Sequence, residues 1–124
     1  MFQNIDIFRL SSDLARHSAK RQSVIAENIA NADTPKYQAR DIAPFQETYH
    51  AAAFDMSASR VGHMSTDAPS AAPTQVRKTD YMEPNGNTVA LETELLHAAD
   101  VKSSHTRALA IYRSALNVMH RVLG

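Results

Sequence analysis

The residues best spaced to do chemistry are Glu94 and His97, one helical turn apart. Glu-x-x-His is the spacing by which helical bundles hold a di-iron centre, but such a centre takes two of these pairs and further inward carboxylates. The N-terminal part of the chain offers no such pair, so a solvated Glu/His pair with incidental spacing is the more economical reading. His17, His50, His63, His105 and His120 are scattered without the short spacings of a zinc site. Cysteine is absent, which excludes disulfides, thiol nucleophiles and thiolate metal sites. Serines are plentiful, yet no Gly-x-Ser-x-Gly elbow occurs, and 3 glycines make no phosphate cradle. No enzyme, cofactor, metal site or small-molecule substrate is expected.

What remains is helical pattern. From Ile5 to Asn31 there is no Gly or Pro, and Ile7, Leu10, Leu14, His17, Arg21, Val24, Asn28 and Asn31 alternate spacings of three and four. That is a heptad-like seam, apolar at its start and polar toward its end. Pro35 pushes its predecessor out of the helical region, so the helix stops near Asn31 to Asp33. The second pattern runs Leu91, Leu95, Ala98, Lys102, His105, Leu109, Tyr112, Leu116, Met119 and Leu123. It predicts a helix of roughly 30 residues, about 45 Å long, with the 3.5-residue period of a coiled coil. His17 and His105 fall on the two seams and would approach each other if the helices pair. Between the helices, Pro44, Phe45, Tyr49 and Phe54 suggest one short amphipathic helix, and Val76 to Met82 suggests one extended strand. Ser57 to Thr74, rich in Ala, Ser and Pro, reads as an irregular loop. Pro84-Asn85-Gly86-Asn87 is a turn that restarts the chain.

The expected fold is mainly α: two long terminal helices paired in a coiled-coil-like layer around a short irregular middle. Residues 1–33 and 89–124 form the helical layer, and residues 34–88 carry a turn and the middle region. At 124 residues this is one domain. Net charge is zero, so there is no electrostatic footprint for nucleic acid, and little repulsion opposes self-association. There is no Trp, and aromatic residues make up only 6%, so two helices and a thin middle bury little apolar surface by themselves. Neighbouring subunits are expected to supply the missing core. No apolar run approaches the roughly 18 residues that span a bilayer. Met1 to Asp6 lacks the basic region of a Sec-type signal peptide, and the segment after it lacks the apolar one, so no such signal is expected.

The stretch Asn28-Ile29-Ala30-Asn31-Ala32-Asp33-Thr34-Pro35-Lys36-Tyr37, where the first helix closes, resembles the Asn-x-x-Asn-x-x-Thr-Pro-Gly-Tyr signature of the bacterial flagellar axial proteins. Tyr37-Gln38-Ala39-Arg40-Asp41-Ile42 and Gly86-Asn87-Thr88-Val89 look most like the short proximal rod subunits among them. Lys36 stands where the signature has Gly, and Ala90 where relatives often carry an acid that caps the last helix. The resemblance implies a structural rod subunit whose terminal helices self-associate in a helical assembly, transmitting torque for motility. It implies other rod subunits and the membrane-ring or export-gate adaptor at the rod base as partners, a periplasmic place in the basal body, and export by the flagellar type III apparatus without a cleaved signal. The motif residues expected to matter for assembly are Asn28, Asn31, Thr34, Pro35, Tyr37, Arg40 and Asp41. From the second seam, Leu95, Leu109, Tyr112, Leu116 and Met119 join them. Asn28 and Asn31 are expected to bond carbonyls near the helix end or a neighbouring chain. The alternatives are a small helical binding module or export adaptor and, more remotely, a metal-dependent helical enzyme using Glu94 and His97.

Overall fold

The computed structural model describes residues 2–53, 75–77 and 80–124. Helix α1 runs Phe2–Ala30 and helix α3 runs Leu91–Leu123, both uninterrupted by Gly or Pro. They lie antiparallel: Phe8 meets Tyr112 edge to face at 5.3 Å, and at the other end Asn28 donates to Glu94. Between them come strand β1 (Arg40–Ile42), helix α2 (Phe45–Ala53) and strand β2 (Gln75–Arg77). β1 and β2 form a two-stranded antiparallel sheet with Asp41 opposite Val76. Among the described residues no helix is long and apolar enough to cross a membrane.

The mainly helical fold and the irregular middle are as the sequence predicts. α2 begins one residue later than expected, because the Pro44 carbonyl accepts from Glu47 and Thr48 and so closes the first turn from outside. Of the expected Val76 to Met82 strand, Val76 and Arg77 lie in β2 and residues 80–82 lie outside any strand, while residues 78 and 79 lie outside the described residues; its partner β1 has no alternating signature long enough to read. Phe54 and the Ser57 to Thr74 loop lie outside the described residues.

The helix pair bears out the expected seam in part and shifts the rest. Val24 and Asn28 of the α1 seam are buried, and beside them Ser11, Ser18 and Ile25 on α1 and Glu94, Val101 and Ala108 on α3 form two buried series with the heptad spacing of seven. Each member of these series lies one residue from an expected seam position: Leu10, His17 and Val24 on α1, and Leu95, Lys102 and Leu109 on α3. One residue is about 100° around a helix, so alternate large side chains turn outward. Leu95 is 55% exposed and Leu109 40% exposed, while Tyr112 is also exposed and Leu116 and Met119 are half-buried. Ser11, Ser18 and Ala108 inside let the helices approach closely, and the Asn28–Glu94 bond at 3.1 Å fixes their rotation. His17 turns its Nε2 to the Ala43 carbonyl at 2.7 Å and its ring edge to Phe45, and His105 keeps a buried Nδ1 with no hydrogen-bond partner.

Candidate functional site

The motif is the point where α1, β1 and α3 are tied together. Asn28 is fully buried on the last turns of α1. Its Nδ2 donates to the Arg40 carbonyl at 2.6 Å and to Glu94 Oε2 at 3.1 Å. Its Oδ1 accepts from the Arg40 amide at 3.1 Å and from the Tyr37 hydroxyl at 3.4 Å. An asparagine has two donors and two acceptor sites, so every one is used. Toward Arg40 the side chain behaves as a neighbouring strand would, satisfying both backbone groups of one residue.

Glu94 is thereby corrected from a solvated residue to a buried one, 1% exposed. Its spacing to His97 serves packing against α1: Glu94 receives the Asn28 amide, and His97 Nδ1 faces Arg21 Nη2 at 3.5 Å. Arg21 grips Asp41 bidentately, Nε to Oδ1 at 2.8 Å and Nη2 to Oδ2 at 2.9 Å. That bond raises the guanidinium above its ordinary pKa, against the opposing effect of burial. Arg40, next to Asp41, reaches out to Glu27 at the surface. Among the described residues no three His, Cys, Asp or Glu side chains gather around a common point.

The end of α1 is closed from two sides. Asn31 Nδ2 donates to the Glu27 carbonyl at 2.8 Å, and its Oδ1 accepts from Thr34 Oγ1 at 3.2 Å. From the segment before α3, buried Asn87 directs Nδ2 at the carbonyls of Asn31, Ala32 and Thr34, at 2.9, 2.7 and 2.9 Å. These are orphan carbonyls of a helix end and its turn, which need donors from elsewhere. Asn87 Oδ1 also receives the Val89 amide, and Thr88 Oγ1 the Ala39 amide. Residues 36–39 and 85–88 are thus stitched together ahead of α3, whose own start at Ala90 has no side-chain cap.

Pro35 is exposed and Lys36 takes φ 60°, the left-handed region that the signature's glycine suits. Gly86, at φ 83°, lies directly against it, a Cβ there meeting Lys36 Cγ at 3.4 Å. A non-glycine residue in this region costs about 1–2 kcal/mol. Lys36→Gly is therefore expected to raise stability by about 0.5–1 kcal/mol after the entropy cost of glycine. Thermal unfolding of the two chains checks it.

The structure brings Asn28, Asn31, Thr34, Tyr37, Arg40 and Asp41 into one bonded cluster, with Pro35 as the bend. It places Leu95 and Leu109 away from that cluster, on the outer side of α3. Sequence reasoning missed Arg21, Asn87, Thr88 and the burial of Glu94. The available signals were charge inside a heptad seam, as at Arg21, and the Gly86-Asn87-Thr88-Val89 stretch that holds Asn87 and Thr88.

Residues 17–38, from the middle of α1 through the motif, match the family model of flagella basal body rod proteins. The chain is 33% identical over 125 residues to the flagellar basal body rod protein FlgB of Escherichia coli, covering 93% of this chain and 91% of that one. It is 32% identical to FlgB of Salmonella typhimurium over 126 residues, at 93% and 91% coverage. To FlgB of Agrobacterium fabrum it is 29% identical over 127 residues, 98% of this chain and 92% of the relative. Similarity at this level over nearly the full length of both chains shows that the chain belongs to the FlgB family of flagellar basal body rod proteins.

Proposed function

We propose that this structural basal-body rod subunit acts in the proximal, periplasmic part of the rod and carries no catalytic activity. Its terminal helices, residues 1–33 and 89–124, form the inner layer of the assembly, and residues 34–88 carry the motif turn and the middle region. Rod subunits on either side, and an adaptor of the membrane ring or export gate at the base, are its partners. It reaches them through the type III export route without a cleaved signal, and the assembled rod passes torque outward.

The observation that carries this reading is the division of side chains on α3. Glu94, Val101 and Ala108 face α1, while Leu95 and Leu109 face solvent. A chain that buries alanine and exposes leucine keeps its larger apolar side chains for a neighbour. Neither leucine supports the helix pair, so Leu95→Asp with Leu109→Asp should change the stability of the purified chain by less than about 1 kcal/mol. The same double variant, as the sole copy in the cell, should abolish rod assembly and swimming. Normal swimming by that variant would contradict the reading.

A further inference from the structure

Of the asparagines in the chain, only Asn85 is followed by glycine. Asn4, Asn28, Asn31, Asn87 and Asn117 precede Ile5, Ile29, Ala32, Thr88 and Val118, whose side chains crowd an amide nitrogen that glycine leaves open. The pair matters chemically because the Gly86 amide nitrogen, once it has lost its proton, can attack Asn85 Cγ. A C–N bond forms, the side-chain nitrogen leaves as ammonia, and a cyclic succinimide remains. Water then opens the ring at either carbonyl, giving aspartate or isoaspartate. The reaction takes water as its only reagent.

In the fold, Asn85 is exposed and Gly86 half-buried, on the turn that precedes α3. Water reaches the site, yet every group the reaction uses is engaged. The Gly86 amide donates to the Glu83 carbonyl at 2.9 Å. Asn85 Nδ2 donates to Glu83 Oε2 at 3.1 Å, and Oδ1 accepts from the Asn87 amide at 2.8 Å. The main-chain carbonyl of Asn85 accepts from the Lys36 amide at 3.2 Å. A hydrogen-bonded amide gives up its proton only when its bond opens, as in hydrogen exchange. The turn thus presents Asn85 to solvent while withholding the nucleophile.

We propose that Asn85 is a site of spontaneous deamidation, reactive in the unfolded chain and shut by the folded turn, so that its modification records time spent unfolded. The product does not suit the fold. Both forms lose the Nδ2 donor and add a carboxylate close to Glu83. Isoaspartate also carries the main chain through Cγ, lengthening it by one carbon, and turns the carbonyl that accepts from Lys36 into the free carboxylate. Asn87, whose Nδ2 closes the end of α1, is two residues further on. Modification at position 85 therefore loosens the tie between α1 and the segment before α3.

The test incubates the full purified chain at mildly alkaline pH, once in buffer and once unfolded in urea, and follows deamidation by peptide mass spectrometry. Each event adds about 1 Da, and fragmentation separates position 85 from position 87. Position 85 should gain mass at least about tenfold faster in the unfolded chain than in the folded one. It should also react before any other asparagine in urea. Gly86→Ala, read in urea where folding plays no part, should slow the reaction about tenfold, because its methyl group crowds the nitrogen. The isoaspartate form, separated by ion exchange and returned to buffer, should exchange the Thr88 amide, which donates to the Tyr37 carbonyl, at least about tenfold faster than the native chain. Equal rates at position 85 with and without urea would overturn the proposal. So would earlier reaction at another asparagine, an unslowed Gly86→Ala chain, or native exchange at Thr88 in the isoaspartate form.

Discussion

Replacing Asn28 with alanine is expected to destabilise the folded chain by about 3 kcal/mol, the cost of losing several buried hydrogen bonds at once. The substitution removes the Asn28 bonds to the Arg40 amide and carbonyl and to Glu94. Water can reach Arg40, which is half-buried, but Glu94 is not similarly placed. The nearly isosteric Asn28→Asp is the sharper variant. It keeps the acceptors, loses both donors and sets a second carboxylate against Glu94. Two carboxylates in one buried contact repel, so this variant should be at least as unstable as Asn28→Ala at neutral pH. Urea unfolding measures both effects. If Asn28→Ala unfolds within about 0.5 kcal/mol of the native chain, as a surface substitution would, the cluster is not what holds α1, β1 and α3 in register.

The second large effect is expected at Arg21. Breaking a fully buried ion pair costs about 3–5 kcal/mol. The Arg21 and Asp41 side chains retain 20% and 14% exposure, so solvent screening lowers the expected cost of Arg21→Met to about 2 kcal/mol. Asp41 would be left in β1 without its bidentate partner, and Arg21→Met with Asp41→Leu should recover part of the loss. The direction of the shift sets the sign of the pH dependence. Asp41 raises the folded pKa of Arg21, so its contribution is complete below the ordinary arginine range and is lost only above it. The difference between Arg21→Met and the native chain should therefore stay level across neutral and mildly alkaline pH in thermal unfolding.

Much of this architecture can be read from residues alone because helix existence depends on local pattern. The Gly- and Pro-free runs, the proline at position 35 and the turn before Leu91 specify α1 and α3 (Phe2–Ala30 and Leu91–Leu123) with little help from tertiary structure. Helix rotation is different. Ser11 and Leu10 are adjacent, and so are Ala108 and Leu109; which of each pair faces inward depends on the close approach of the helices and on the Asn28–Glu94 bond. A hydrophobic ranking selects the leucines, and the fold selects the small residues. The motif residues are similarly legible as a group but not in their bonds. Asn31 does bond a helix-end carbonyl, Glu27, whereas Asn28 reaches forward to Arg40, and the clamp on the helix end comes from Asn87, more than fifty positions away. β1 and β2, three residues each, are held by long-range pairing and leave no periodicity to detect.

The central claim is that the outward leucines of α3 are buried by neighbouring subunits in the rod. Because the chain has no cysteine, a single Leu109→Cys substitution gives an unambiguous probe. Its rate of reaction with a water-soluble maleimide should be measured in the purified chain and in isolated basal bodies. The account predicts rapid labelling of the free chain, where position 109 is exposed, and labelling at least about tenfold slower in the basal body, where an apolar contact excludes the reagent. Equal rates in the two would contradict it.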